Sequence, residues 1–214
     1  MVLVGSAWAF AHVVEDYLTR DPLVLWDVSF AGWLHEHSSG GLVSLFEVLT
    51  YAGNSAVLIV VVGVLAAFFV RRVRANDGVV LILALGGAAV VNALLKLAFH
   101  RPRPEIAFVH LETYSFPSGH AAVGTATFAT LAFLLARRGS LRRALAIYGA
   151  AVAVIAMIGF SRLYLGVHYL SDVLAGTSFG LTWASASLIA YTLYGKRSVA
   201  ALLPRRARSR LTGR

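Results

Sequence analysis

The sequence predicts an all-α protein, a polytopic transmembrane helical bundle with about six spans. Hydrophobic residues make up 58% of its 214 residues and charged residues only 14%, and the mean hydropathy is +0.74. A soluble domain averages about 45–50% apolar and about 25% charged residues. The apolar excess is too large for a soluble core and indicates a protein embedded in lipid. The length suits one domain.

The apolar residues fall into segments that suit individual spans. Five segments have, or nearly have, the roughly 20 apolar residues that a bilayer crossing needs: 43–70, 79–99, 119–136, 144–161 and 170–194. The first 19 residues lack the basic start and cleavage site of a signal peptide, so we interpret them as a short first span. Residues 23–37 carry Trp26, Phe30, Trp33 and Leu34 at helical spacing, which predicts an amphipathic helix at the membrane interface. We assign residues 1–195 to a single transmembrane domain and 196–214 to a basic cytoplasmic tail.

The basic residues predict the orientation. The net charge is +9, and residues 196–214 contain Lys and Arg but no acid. Such a stretch beside a span contacts anionic headgroups and sets topology, whereas nucleic-acid binding is not expected without a basic soluble domain. The basic loops 71–74 and 137–143 alternate with two other loops, 100–118 and 162–169, so the positive-inside rule places the latter pair outside the cell. The protein is therefore predicted to lie in the plasma membrane.

The first polar block in the outer loops is "KLAFHRPRP", residues 96–104. Lys96 ends a span, and Pro102 and Pro104 stop the helix, which places Arg103 just outside it. Snorkelling is the ordinary explanation for cations at a span end. These cations lie on the side that the positive-inside rule leaves poor in them, which suggests an anionic ligand.

The second block is "FPSGH", residues 116–120. Pro117 suits a helix start, Ser118 is a good N-cap, and Gly119 permits close backbone approach. Free N–H groups at the positive end of a helix bind anions, and His120 projects from the first turn toward them. A plain turn with an incidental histidine is the alternative.

The third block is "SRLYLGVHYLSD", residues 161–172. His168 and Asp172 are four apart and share a helix face. A carboxylate on one ring nitrogen sets the tautomer and raises the basicity of the other nitrogen. Arg162 offers a planar guanidinium that suits phosphate. A His–Asp pair that merely caps a helix is the alternative.

Together the blocks predict a site for an oxyanion with two or more negative charges. The paired histidines favour in-line displacement at phosphorus, in which His168 attacks, His120 protonates the leaving oxygen and the cations stabilise the transition state. A metal site is not expected, because the cations would repel a metal and the carboxylate is engaged by a histidine. No cofactor is expected either, and the absence of cysteine excludes disulfides and thiolate metal sites.

These residues resemble the signature of the type 2 phosphatidic acid phosphatase, or lipid phosphate phosphatase, superfamily, in its bacterial integral-membrane form. The signature K-x6-R-P, P-S-G-H and S-R-x5-H-x3-D is matched by three sets: Lys96 with Arg103-Pro104, Pro117 to His120, and Ser161-Arg162 with His168 and Asp172. The resemblance spans residues 43–194. It implies a metal-independent phosphatase with a phosphohistidine intermediate, usually six spans, and a site on the extracytoplasmic side. The predicted first span of this chain is shorter than the spans of that family.

The resemblance also implies roles for single residues. His168 corresponds to the nucleophile, Asp172 to its orienting partner and His120 to the general acid. Five further residues correspond to the groups that bind the phosphoryl oxygens: Lys96, Arg103, Ser118, Gly119 and Arg162.

The expected function is hydrolysis of a lipid phosphate mono- or diphosphate ester, with the substrate lipid and membrane lipids as partners. Undecaprenyl or another polyprenyl diphosphate is favoured, because an outward-facing site suits recycling of a carrier lipid. Phosphatidate or phosphatidylglycerophosphate is the alternative substrate. A non-catalytic lipid-binding scaffold would be expected to lack His120 or His168, and the apolar composition argues against a vanadium haloperoxidase-like enzyme. The oligomeric state is left open.

Overall fold

The computed structural model describes residues 1–20, 22–71, 74–109 and 111–202, with side chains as far as Tyr194. All regular secondary structure in these ranges is helical. The α-helices are α1 Val2–Thr19, α2 Pro22–Glu36, α3 Gly40–Leu49, α4 Ser55–Arg71, α5 Ala75–Phe99, α6 Gly119–Ala136, α7 Leu141–Tyr164 and α8 Leu170–Leu202. Of the predicted tail, 196–202 continues α8, and 203–214 lies outside the described residues.

Within the described ranges, four helices are long and apolar enough to cross a membrane: α5, α6, α7 and α8 as far as Tyr194. Together, Gly40–Gly53 and Ser55–Arg71 pass the same test as a pair bent by 45°. α1 does not pass it, since its last turns carry polar residues, but it is about 27 Å long at 1.5 Å per residue and packs along α8. The prediction of an all-α transmembrane bundle is confirmed, and about six spans is compatible with these helices.

The predicted span 43–70 is not one straight helix. α3 ends at Leu49, a 3₁₀ turn covers Thr50–Gly53, and α4 starts at Ser55. The Asn54 side chain accepts a hydrogen bond from the backbone N–H of Ala56 at 2.9 Å, which stabilises the start of α4. The break turns Thr50 and Gly53 toward the other helices.

The predicted interfacial helix 23–37 is present as α2, but its buried face differs from the aromatic one. Trp26 and Trp33 are 68% and 53% exposed, whereas Asp27, Ala31 and Leu34 are buried. Exposed tryptophans suit contact with lipid at the interface. The inward-facing Asp27 was not anticipated.

α6 is the central helix, and α8 packs closely against it. A Cβ atom on Gly176 would lie 2.5 Å from the carbonyl oxygen of Ser118, and one on Gly180 would lie 2.3 Å from that of Ala122. Only glycine allows so close an approach. α8 thereby holds the N-terminus of α6 in place.

The bundle has two distinct ends. We call the end where α5 and α7 finish and α6 and α8 begin the site end. At the opposite end, the buried carboxylate of Asp77 accepts hydrogen bonds from Arg74, Tyr191 and Arg137, the last at 2.7 Å. This ion cluster joins α5, α6 and α8 on the side of the basic loops.

Candidate active site

The three predicted polar blocks meet at the site end. The backbone N–H of Ser118 donates to the carbonyl oxygen of Asp172 at 3.0 Å, which links the second block to the third. Arg103 donates from Nη1 to the carbonyl oxygen of Val167 at 2.7 Å, which links the first block to the third. Segments that lie far apart in sequence thus meet at one site, which we call the pocket.

His168 lies at the centre of the pocket and is almost fully buried, at 2% exposure. Its Nδ1 atom is 3.3 Å from Oδ2 of Asp172 and 3.3 Å from the Ser115 hydroxyl oxygen. Its Nε2 atom is 3.2 Å from Nη1 of Arg103. Because a guanidinium only donates, Nε2 is the acceptor and Nδ1 carries the proton. The lone pair of Nε2 therefore points toward a cation, where an anionic substrate would be bound.

The environment keeps this ring neutral. Burial lowers the pKa of His168 from 6.5 to about 3, and the positive charges of Arg103 and Arg162 add to that shift, although Asp172 opposes it. A neutral imidazole is the nucleophilic form.

Asp172 is fully buried, and its carboxylate is held on all sides. Oδ1 accepts from Nη1 of Arg101 at 2.7 Å, while Oδ2 accepts from the backbone N–H of Tyr169 at 2.9 Å and from the Ser115 hydroxyl. A carboxylate fixed in this way cannot rotate away from His168. It can hold the ring in one orientation and one tautomer.

Arg103 is immobilised by backbone oxygens of the loop before α6. Its Nε donates to the carbonyl oxygen of Thr113 at 2.7 Å, and Nη2 donates to the Thr113 hydroxyl at 2.8 Å. Burial lowers the pKa of Arg103, against the attraction of Asp172. An anion bound beside this guanidinium would compensate for the solvation that Arg103 loses on burial.

The N-terminus of α6 is open for an anion. Ser118 is the N-cap residue, yet its side chain makes no capping bond, and its buried hydroxyl has no hydrogen-bond partner within the described part of the chain. Lys96 reaches this loop, where Nζ donates to the carbonyl oxygens of Tyr114 and of Ser115, the latter at 3.1 Å. A Cβ on Gly119 would lie 3.9 Å from Cε of Lys96. The first-turn N–H groups of α6, the free Ser118 hydroxyl and the Lys96 ammonium group thus lie in one region that suits an anion.

The break between α3 and α4 completes the pocket. Arg162 donates from Nη1 to the Thr50 hydroxyl at 2.7 Å, and its Nε is buried without a partner in the residues that the structure covers. His120 packs beside Gly53, where a Cβ would lie 3.3 Å from that of the histidine. His120 is also close enough to interact with the charges of Arg162 and His168. All the predicted site residues therefore lie at this end of the bundle.

Three residues of the site were not anticipated: Asp27, Arg101 and Ser115. Arg101 stands two residues before Arg103 in the same R-P-R-P run, and Ser115 precedes Pro117 by two. Asp27 is an isolated acid in an apolar helix, which is the sequence signal that could have drawn attention to it.

A metal-binding cluster does not form among the described side chains, where no group of three His, Cys, Asp or Glu residues is placed to hold an ion. The pocket presents cations instead. Its donor set fits an oxyanion rather than a cation.

The comparisons with known proteins identify the family of the chain. The model of the PAP2 superfamily matches residues 77–196, more than half of the chain. The chain belongs to the PAP2 superfamily. It is 32% identical over 154 residues to phosphatidylglycerophosphatase B of Bacillus subtilis, which covers 70% of this chain and 71% of that protein. It is 30% identical over 150 residues to decaprenylphosphoryl-5-phosphoribose phosphatase of Mycobacterium tuberculosis, which covers 66% and 76%.

The fold is also that of a solved family member. The crystal structure of a transmembrane PAP2-type phosphatidylglycerolphosphate phosphatase from Bacillus subtilis matches with a TM-score of 0.77 and 25% identity, over 90% of this chain and 95% of that chain. The predictions of the family, of a membrane protein and of a lipid phosphate hydrolase are confirmed. The three polar blocks of the sequence lie around the buried His168.

Proposed function

We propose that this PAP2 phosphatase removes the terminal phosphate of a lipid headgroup through a phosphohistidine on His168, without a metal ion. The observation that carries the proposal is the geometry of one ring: Nδ1 faces Asp172 and Nε2 faces Arg103. This ring is neutral, its tautomer is set and its lone pair points at the anion pocket.

In the first step, Nε2 of His168 attacks phosphorus and the bond to the headgroup oxygen breaks. With the anionic phosphate bound, which offsets the surrounding cations, His120 carries a proton on both ring nitrogens and donates one to that oxygen as it leaves. The phosphoryl oxygens lie against Lys96, Arg103 and Arg162 and the N-terminus of α6, which stabilise the charge of the transition state.

In the second step, water attacks the phosphorus of phosphohistidine. His120, now neutral, accepts a proton from this water, and the bond from phosphorus to Nε2 breaks. Inorganic phosphate leaves, and both histidines return to their initial states.

The favoured substrate is a lipid phosphomonoester of the phosphatidylglycerophosphate kind. The B. subtilis relatives, named for that activity, cover most of this chain and share its fold. This ranking reverses the preference that the sequence suggested for a polyprenyl diphosphate. The latter remains the second candidate, because the mycobacterial relative is named for a polyprenyl-linked phosphate.

The test is phosphate release by detergent-purified protein in EDTA, with phosphatidylglycerophosphate, phosphatidate and undecaprenyl diphosphate side by side and His168→Ala as the blank. Preference for the phosphatidylglycerophosphate supports the proposal, and preference for the diphosphate supports the second candidate. Release that requires an added divalent ion would contradict the metal-free mechanism.

We further propose that the site end faces the outside of the cell. The basic residues Arg74 and Arg137 lie at the opposite end, and the positive-inside rule makes that end cytoplasmic. Since the chain has no cysteine, single-cysteine variants can report the orientation. In intact cells an impermeant maleimide should label Glu112→Cys, at the site end, but not Arg138→Cys. The reverse pattern would contradict this orientation.

A further inference from the structure

Behind His168 lies a buried ion pair between α2 and the loop after α5. Nη2 of Arg101 donates to Oδ2 of Asp27 at 2.8 Å, while Nη1 donates to Oδ1 of Asp172 at 2.7 Å. Arg101 is 5% exposed and Asp27 is 0% exposed. One guanidinium therefore bridges two carboxylates, and only one of these touches the histidine.

Asp27 is held as firmly as the residues of the pocket. Its Oδ1 accepts from the backbone N–H of Ser171 at 2.9 Å, and its Oδ2 also accepts from the Ser171 hydroxyl. A buried carboxylate is costly unless it is paired, and an apolar residue would have satisfied the packing of α2. The charge of Asp27 therefore calls for an explanation beyond packing.

The charge balance around His168 explains why a carboxylate lies at position 27. With Asp27, the group of two carboxylates and Arg101 carries a net charge of −1 beside the ring. Without Asp27, Arg101 and Asp172 neutralise each other. His168 becomes positively charged when it takes the phosphoryl group, and a net negative group stabilises that charge more than a neutral pair does.

The other charged groups near His168 act in the opposite direction. Arg103, Arg162 and Lys96 are cationic, and His120 is a further titratable group in range. Each cation disfavours a positive ring. Arg101 would do the same if Asp27 did not neutralise it, and the two carboxylates together raise the pKa of Arg101 despite its burial.

We propose that Asp27 is a positioning residue for phosphoryl transfer: it pairs with Arg101 and so leaves the negative charge of Asp172 available to Nδ1 of His168. This inference rests on the proposed function. Asp27 acts through Arg101 and Asp172, without touching the substrate.

The experiment compares Asp27→Asn, which removes the charge but keeps the shape, with Asp27→Glu, which keeps the charge but displaces the Ser171 contacts. Glu36→Gln is the matched control, since it makes the same change of charge at an exposed position of α2. For Asp27→Asn we expect kcat to fall about tenfold or more, as for other indirect partners of catalytic groups, with little change in KM. The His168 ring, followed by NMR, should titrate at a lower pH. Asp27→Glu should keep more activity, and Glu36→Gln should match the wild type.

Several outcomes would overturn the inference. These are a kcat for Asp27→Asn within threefold of wild type, an unmoved His168 titration, or an equal loss in Asp27→Glu. If Asp27→Asn does not fold, a fall in kcat of tenfold or more in folded Asp27→Glu is enough to overturn the inference. Wild-type protein that releases no phosphate from any lipid would contradict the proposed function instead.

Discussion

Replacement of Asp172 by Asn isolates the effect of one charge, because the two side chains have the same shape. Oδ1 of Asp172 faces Nη1 of Arg101, which has no acceptor. The oxygen of the new amide will therefore take that position, and its NH2 group will take the position of Oδ2. There it donates to Nδ1 of His168, so the ring proton moves to Nε2 and the attacking lone pair is lost.

The expected magnitude follows from the contacts that change. The positively charged ring loses a hydrogen bond to a charged group, which costs about 1.5–3 kcal/mol in the transition state and corresponds to a fall in kcat of roughly 10- to 10²-fold. Loss of the attacking lone pair deepens this fall. The backbone N–H of Tyr169 becomes a buried unpaired donor in ground and transition states alike, so that change lowers stability rather than kcat.

The assay is phosphate release at saturating lipid, with thermal unfolding as the test of folding. Asp77→Asn is the matched control, since it makes the same change in the buried ion cluster at the opposite end. We expect the control to lower the melting temperature and to keep the wild-type kcat. If folded Asp172→Asn kept kcat within threefold of wild type, the orienting role of Asp172 would be wrong.

Three other predictions concern the pocket. Gly176→Ala should cut activity strongly, because its Cβ would clash with the carbonyl oxygen of Ser118. Gly149→Ala is the control, since a Cβ there meets nothing within 4 Å. Equal activities of the two variants would refute the packing argument. His120→Ala should lose most activity on esters with poor leaving groups, and an equal loss on an activated aryl phosphate would argue against an acid role. Because the pKa of folded His168 lies at about 3, below its ordinary 6.5, protonation favours unfolding, and the free energy of unfolding should fall as pH drops from 6.5 toward 3. Unfolding titrations of His168→Asn should show a shallower fall, and an unchanged slope would contradict a neutral buried ring.

Local signals were enough to predict much of the site. The Pro-Ser-Gly run predicts the start of α6, and the helix begins at Gly119. The spacing of four residues brings His168 and Asp172 together on its own, because one helical turn separates them. These features depend on neighbouring residues, so the sequence could reveal them without knowledge of the fold.

Contacts between distant segments could not be predicted in this way. Asp27 and Ser171 are 144 residues apart, and although Asp27 stands out as an acid in the apolar helix 23–37, the sequence does not show what it contacts. Arg101 and Arg103 both belong to the R-P-R-P run, but only the path of the chain after α5 decides which one faces His168 and which one faces Asp27.

The break in the first long apolar segment was missed for a related reason. Residues 43–70 have no proline and no internal charge except Glu47, so hydropathy alone predicts a continuous helix. The 3₁₀ turn at Thr50 has weak local signals in Gly53 and Asn54. The structural role of this turn depends on Arg162, which donates a hydrogen bond to the Thr50 hydroxyl from another helix.

The covalent intermediate is the most direct test of the mechanism. Purified protein in EDTA would be mixed with phosphatidylglycerophosphate labelled at its terminal phosphate, quenched in alkali within milliseconds, digested and mapped by mass spectrometry. We predict an acid-labile phosphoryl group on His168, absent from His168→Ala and more abundant in His120→Ala if hydrolysis is slowed more than attack. Turnover with no label on His168, or with label on another residue, would contradict the assignment of the nucleophile.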